Sequence, residues 1–90
     1  MFLLIPYDIS DDKRRREVDK ILSAYGKRVN YSVFEVEVNA SKFRKLIKEL
    51  EAVTVEKDHV RIYTLSKEVV NKSFLLHRDE GIFEDDELYF

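Results

Sequence analysis

The carboxylate with the best position for chemistry is Asp8, which ends an otherwise apolar run at residues 2–7. Mg²⁺ keeps several waters and often takes only one or two carboxylates together with phosphate oxygens. An ion held at Asp8 would activate a water and stabilise the charge on a phosphodiester under attack. The alternative is that Asp8 only places negative charge near the start of a helix at 12–25, where the helix dipole favours it.

Several neighbours of Asp8 have side chains suited to nucleic acid. Arg14, Arg15 and Arg16 follow it by about one helical turn and can hold flanking phosphates through charge-assisted hydrogen bonds. Tyr7 can hydrogen-bond near the metal, or pack in the core with its hydroxyl reaching water. Phe34 can stack on an unpaired base, although an aromatic residue on a strand more often belongs to the core.

Composition excludes other kinds of site. The 90 residues include no cysteine, two glycines and two histidines, so a disulfide scaffold, a thiolate zinc site and a glycine-rich phosphate loop are absent from the sequence. His59 and His77 lack the spacing of a metal-binding pair and are expected at the surface. No apolar run has membrane-spanning length and the first residues do not resemble a secretory signal, so we expect a cytoplasmic protein with no membrane partner.

Charge is distributed unequally along the chain. The net charge is −2, but six of the 18 acids and none of the bases lie in residues 79–90. Residues 1–78 therefore hold 16 bases against 12 acids, a net charge of +4. We predict a basic domain at 1–78 and an acidic tail at 79–90, which shields the basic body, docks on a basic partner or acts only as a solubilising loop.

Hydrophobic periodicity predicts the elements that would position these residues. It indicates a strand at 2–8, a helix at 12–25, a strand or kinked pair of strands at 28–38, a second helix capped by Asn39 or Ser41, and a strand at 58–65. Beyond residue 65 only short strand candidates at 73–77 and 87–90 remain. The two helices share one spacing of apolar residues, found at Val18, Ile21, Leu22 and Tyr25 and at Phe43, Leu46, Ile47 and Leu50.

This order predicts an α+β fold, a ferredoxin-like βαββαβ plait with an extra C-terminal strand. Two helices would cover one face of the sheet. The strand at 2–8 is apolar on both faces, and 90 residues leave no further element to cover the second face. A second copy of the chain is the economical cover, so we predict a two-fold homodimer.

Four segments of the chain stand out by their order and spacing. They are Tyr7-Asp8-Ile9-Ser10, Asp11-Asp12-Lys13-Arg14-Arg15-Arg16, Tyr25-Gly26 and Tyr31-Ser32-Val33-Phe34-Glu35. Together they resemble the CRISPR-associated endoribonuclease family, the small ferredoxin-like subunit of the spacer-acquisition machinery, and the resemblance extends over residues 1–65.

The resemblance implies a homodimer with sheets packed face to face, a last strand that crosses to the partner's sheet, and Mg²⁺ bound by Asp8. It also implies a nuclease acting on RNA or double-stranded DNA, or a non-catalytic bridge between two dimers of the CRISPR integrase. A single-stranded RNA binder is a third reading, since the plait is a common RNA platform. Positions linked to activity in similar proteins match Tyr7, Asp8, Arg15, Arg28 and Phe34.

Overall fold

The computed structural model describes residues 1–83. Hydrogen bonding within this range defines alternating strands and helices, in nearly the predicted order. They are β1 (Phe2–Asp8), α1 (Asp12–Tyr25), β2 (Gly26–Asn30), β3 (Val33–Glu37), α2 (Ala40–Val53), β4 (His59–Val60), β5 (Tyr63–Leu65) and α3 (Lys67–Lys72). Among these residues, no helix is long and apolar enough to cross a membrane.

The sheet is antiparallel, with the order β2-β3-β1 and with β4 and β5 both on the far edge of β1. β4 and β5 keep one common register against β1, and the Arg61 N–H between them donates to the Pro6 carbonyl at 2.8 Å. Pro6 has no N–H, so it cannot donate a hydrogen bond to the Arg61 carbonyl in return. The strand predicted at 58–65 is therefore present in two pieces, interrupted opposite Pro6.

The core lies between the sheet and the two long helices. α1 and α2 bury their apolar stripes on one sheet face, against alternating residues of β1 and β3. Asp11 and Asn39 cap the two helices by accepting from backbone N–H groups of the first turn, at 2.9 and 2.8 Å. The order β1-α1-β2-β3-α2-β4 is that of the predicted ferredoxin-like plait, and its largest fully buried side chains are Phe34, Leu3, Ile5, Leu22, Leu46, Val18 and Val36.

Gly26 ends α1, as predicted, and also begins β2. Its backbone is extended, with φ of −160°, so no special conformation requires glycine here. The requirement is close approach, because a Cβ at this position would lie 2.2 Å from the carbonyl oxygen of Glu35. Glycine thus lets β2 pair with β3 directly after the helix.

The chain beyond residue 65 departs from the prediction. α3 was not predicted, and the strand candidate at 73–77 is reduced to one bridge between Phe74 and Gly81. The chain then returns to the sheet face that the helices leave uncovered, where the N–H of Phe83 donates to Glu35 Oε1 at 2.8 Å. The strand candidate at 87–90, and with it the extra C-terminal strand, lies outside the described residues.

Candidate metal and nucleic-acid site

Tyr7 and Asp8, the two candidate catalytic residues, point to opposite faces of β1, because successive strand residues alternate. Tyr7 is 6% exposed and faces the helices with Leu3 and Ile5. Asp8 is exposed on the other face, which we call the open face, beyond the half-buried Pro6. The two residues therefore do not share one pocket within a protomer.

Asp8 stands opposite His59 of β4 in the sheet. Both are exposed, and side chains of directly paired strand residues are neighbours on one face. Within residues 1–83 no group of three or more histidine, aspartate or glutamate side chains is placed to hold a metal. One protomer therefore offers Asp8 without a preformed cage, a donor set that suits an ion retaining waters and phosphate oxygens, as Mg²⁺ does.

Tyr7 belongs to a hydrogen-bonded network on the helix-covered face. Its hydroxyl donates to Asp19 Oδ1 of α1 and accepts from Arg28 Nη1 at 3.3 Å. Arg28 Nη2 lies 3.5 Å from Asp19 Oδ1, and Arg28 Nη1 also donates to the carbonyl oxygen of Tyr31. The network thus links β1, α1 and the turn between β2 and β3.

This environment determines the protonation of Tyr7. Burial and the hydrogen bond to Asp19 raise the pKa of Tyr7 to about 12, against the opposing influence of Arg28. At neutral pH Tyr7 is therefore a neutral phenol that donates a hydrogen bond. A phenol with this pKa is not a general base at neutral pH.

The Phe34 ring packs against Tyr7 and Arg28 of the same network. It is 1% exposed, its ring stacks on that of Tyr7 with centroids 6.3 Å apart, and the Arg28 guanidinium lies 4.8 Å from its centroid. In this conformation a nucleic-acid base cannot reach the ring. The contacts of Phe34 are those of a core residue that also carries a cation on its face.

Arg14 is engaged in an internal ion pair. Its Nε and Nη2 donate to the two carboxylate oxygens of Asp58 at 2.7 and 3.1 Å. The Asp58 side chain is 2% exposed and also accepts from the N–H of Val55 at 3.0 Å. The Arg14 guanidinium and this N–H hold the pKa of Asp58 below its usual value. Arg14 therefore ties the start of α1 to the loop after α2.

The other two arginines of the cluster are more accessible. Arg15 Nη2 is 2.8 Å from Asp12 Oδ1, one turn back on α1. This is a surface ion pair, so a phosphate can replace Asp12 as the partner of Arg15 at little cost in free energy. Arg16 is exposed and makes no ion pair within residues 1–83. Of the predicted phosphate contacts, Arg16 and Arg15 are available, whereas Arg14 and Arg28 are engaged internally.

Sequence reasoning missed Asp19, Asp58 and the position of His59 beside Asp8. Asp19 directly follows the buried Val18 and is half-buried on an otherwise amphipathic helix. An acid at such a position is a weak signal for an internal partner. The pairing of His59 with Asp8 follows from the register of β1 and β4, which periodicity does not specify.

The fold and this arrangement define a small ferredoxin-like plait with an exposed carboxylate at the end of its central strand. The family model described as CRISPR associated protein Cas2 matches residues 1–73. The chain is 48% identical over 68 residues to "CRISPR-associated endoribonuclease Cas2 3" of Synechocystis sp., covering 73% of this chain and 74% of that relative. It is 40% identical over 76 residues to the protein of the same name from Chloroflexus aurantiacus, covering 83% and 82%. The chain belongs to the Cas2 family, as the resemblance predicted.

Solved structures agree with this assignment. Streptococcus pyogenes Cas2, crystallised at pH 6.5, superposes with a TM-score of 0.73 at 34% identity, covering 84% of this chain and 99% of that one. A chain of the structure titled "Partial Cas6-RT-Cas1--Cas2 complex" gives a TM-score of 0.79 at 28% identity, covering 93% and 98%. The predicted α+β ferredoxin-like fold is confirmed.

Proposed function

We propose that this protein is a CRISPR-associated, Mg²⁺-dependent endonuclease that hydrolyses phosphodiester bonds in RNA or double-stranded DNA. Relatives named endoribonuclease support the reaction class. The observation that carries the assignment is the exposed Asp8 carboxylate at the end of β1, on the face that the helices leave open.

A homodimer through the open faces completes this site. Phe2, Leu4 and Pro6 are only half-buried there, and a second copy of the chain would cover them. Such packing brings Asp8 of each protomer towards the two-fold axis, where two carboxylates repel unless a cation or proton lies between them. Asp8 from the two protomers would hold Mg²⁺, which supplies positive charge and a water of lowered pKa when bound.

The remaining residues divide into phosphate contacts and positioning residues. Arg16, and Arg15 by exchanging Asp12 for phosphate, bind the flanking backbone. Tyr7 and Arg28 do not contact the substrate in this proposal. They fix the end of β1 and the adjacent turn, and thereby the direction in which Asp8 points.

We further propose that the protein acts in spacer acquisition with the CRISPR integrase. The likeness to a chain of a solved complex named for Cas1 and Cas2 supports this partnership. The same likeness is compatible with a second candidate function, a non-catalytic scaffold that bridges integrase dimers and holds DNA. Both functions need basic side chains that contact phosphate. Nuclease activity is therefore the property that distinguishes them.

The test compares wild type with Asp8→Asn on RNA and on duplex DNA, with Mg²⁺ and with a chelator. We expect at least about a hundredfold loss of Mg²⁺-dependent cleavage, since a metal contributes several kcal/mol of charge stabilisation and about 1.4 kcal/mol is tenfold in rate. The matched control is Glu37→Gln, the same change at another exposed carboxylate of the open face, which retains cleavage. Light scattering verifies that both variants form the same dimer as wild type.

Full cleavage by Asp8→Asn would show that the metal site lies elsewhere. Absence of cleavage by wild type with every divalent metal would reject the enzyme and leave the scaffold.

A further inference from the structure

The end of β1 and the start of β4 bring a carboxylate and an imidazole together on the open face. Asp8 and His59 stand directly opposite each other in the antiparallel pairing of these strands, so their side chains leave the sheet on the same face. Residues paired in this way have Cβ atoms about 5 Å apart. One metal ion can therefore contact a carboxylate oxygen of Asp8 and a ring nitrogen of His59 at the same time.

Neither side chain of this pair is engaged inside the protomer. Both are exposed, and neither makes a hydrogen bond or an ion pair within residues 1–83. The charged neighbours have other partners, because Arg61 donates to the Tyr63 hydroxyl at 3.0 Å and Arg14 binds Asp58. The carboxylate and the imidazole therefore keep their donor atoms free for a ligand.

The backbone on both sides of His59 is held in place. Asp58, which precedes it, has a side chain that is 2% exposed and that accepts two hydrogen bonds from α1. Two residues after His59, the Arg61 N–H donates to the Pro6 carbonyl at 2.8 Å. These contacts keep His59 in register with Asp8, so an ion that binds both residues orders little additional backbone.

We propose that His59 is a second ligand of the ion that Asp8 binds, and that it gives the site affinity for transition metals. The proposal rests on the proposed function, in which Asp8 holds a divalent cation. Mg²⁺ prefers oxygen donors and keeps several waters, so Asp8 serves it without the imidazole. Imidazole nitrogen suits nickel, iron, copper and zinc. His59 therefore strengthens the binding of such a metal and contributes little to the binding of Mg²⁺.

The test uses the fact that the chain has only one other histidine, His77. His59→Asn is compared with the same change at His77, which is exposed and has a φ of 67° that asparagine tolerates. Calorimetric titration of the untagged dimer with Ni²⁺ and with Mg²⁺, at one pH and without nucleic acid, measures both affinities. Light scattering verifies that each variant forms the same dimer as wild type.

We expect His59→Asn to lose at least about tenfold in Ni²⁺ affinity, since losing even an outer-shell partner of a metal typically has an effect of that size. Its Mg²⁺ affinity should stay that of wild type. His77→Asn should match wild type with both metals, whereas Asp8→Asn should weaken the binding of both.

A second readout needs no change at His59. Ni²⁺ is paramagnetic and broadens the proton NMR signals of a ring that it contacts, and comparison with His77→Asn assigns the two sets of histidine ring signals. In wild type, substoichiometric Ni²⁺ should broaden the signals of His59 before those of His77. This result decides the question even if His59→Asn disturbs β4.

Unchanged Ni²⁺ affinity in His59→Asn, or His59 signals that stay sharp, would overturn the proposal, while loss of Mg²⁺ binding in Asp8→Asn would leave the nuclease assignment standing. Ni²⁺ binding that survives Asp8→Asn would also overturn it, because the two residues would then not share an ion. Ni²⁺ binding that needs both residues, together with absence of cleavage with every divalent metal, would support the shared site and reject the enzyme.

Discussion

The two faces of β1 place neighbouring residues in opposite surroundings. On the helix-covered face, Tyr7 is buried in a network with Asp19, Arg28 and Phe34. On the open face, Asp8 is exposed, with His59 as its partner across the sheet. On the helix-covered face these polar groups are hydrogen-bonded within the protomer, whereas the open face has an exposed carboxylate and half-buried apolar residues. In the proposed function, Tyr7 therefore acts by positioning the end of β1, and Asp8 acts by binding the metal.

The first test of this difference between the faces truncates one apolar side chain on each face to alanine. Phe34→Ala removes the ring beneath Tyr7 and Arg28, and we expect the free energy of unfolding to fall by about 3–5 kcal/mol. Val33→Ala, on the half-buried open face, should cost about 1 kcal/mol. Urea unfolding at one fixed protomer concentration measures both, because the stability of a dimer depends on concentration.

A loss of only about 1 kcal/mol for Phe34→Ala would contradict the view that the helix-covered face carries the core. A loss for Val33→Ala that approaches that of Phe34→Ala would instead show that the dimer buries the open face as completely as the helices bury the other.

Much of the fold could be predicted because its signals are local. The strand at 2–8 and the helix at 12–25 match β1 and α1, since alternation and a three-four apolar spacing directly report burial. α3 was missed because six residues hold too few periods to stand out. The break between β4 and β5 depends on a missing N–H at Pro6, a residue of another strand, so reading residues 58–65 alone cannot find it.

The position of Asp8 could be predicted from the sequence, since a carboxylate ends an apolar strand there. Its role as a metal ligand stays a prediction, and the geometry around Tyr7 could not be predicted. The grouping of Tyr7, Arg28 and Phe34 needs the pairing of Arg28 with Phe34 across β2 and β3, and of Phe34 with Ile5 across β3 and β1. These registers are set by packing and turns distant in sequence, so spacing alone does not show that Arg28 lies over a core ring.

A second test of the difference between the faces alters one polar group on each of the adjacent residues Tyr7 and Asp8. Tyr7→Phe removes a buried hydroxyl bonded to a carboxylate, and we expect a loss of about 1.5–3 kcal/mol of stability. Asp8→Asn changes an exposed group and should stay within about 0.5 kcal/mol of wild type. In a double-mutant cycle, Tyr7→Phe and Asp19→Asn should be less destabilising together than the sum of the two alone, because they remove the same bond.

Additive losses in that cycle would show that Tyr7 and Asp19 contribute independently. A large loss for Asp8→Asn would show that the open face already depends on this carboxylate within the folded dimer.

The smallest expected effect is a pH dependence confined to the helix-covered face. The pKa of Tyr7 is raised to about 12, so the folded state holds the phenolic proton more tightly than the unfolded chain, where tyrosine titrates near 10. The stabilisation is therefore complete below about pH 10 and is lost as the pH rises towards 12. Urea unfolding at pH 9 and at pH 11.5 should show a fall in stability for wild type and a smaller fall for Tyr7→Phe. Tyr31→Phe is the control, since Tyr31 is 80% exposed and its hydroxyl makes no hydrogen bond within residues 1–83, and it should reproduce the wild-type fall. If Tyr7→Phe also reproduced it, the proton on Tyr7 would contribute nothing to folding, and the packing of the apolar core would stabilise the covered face without it.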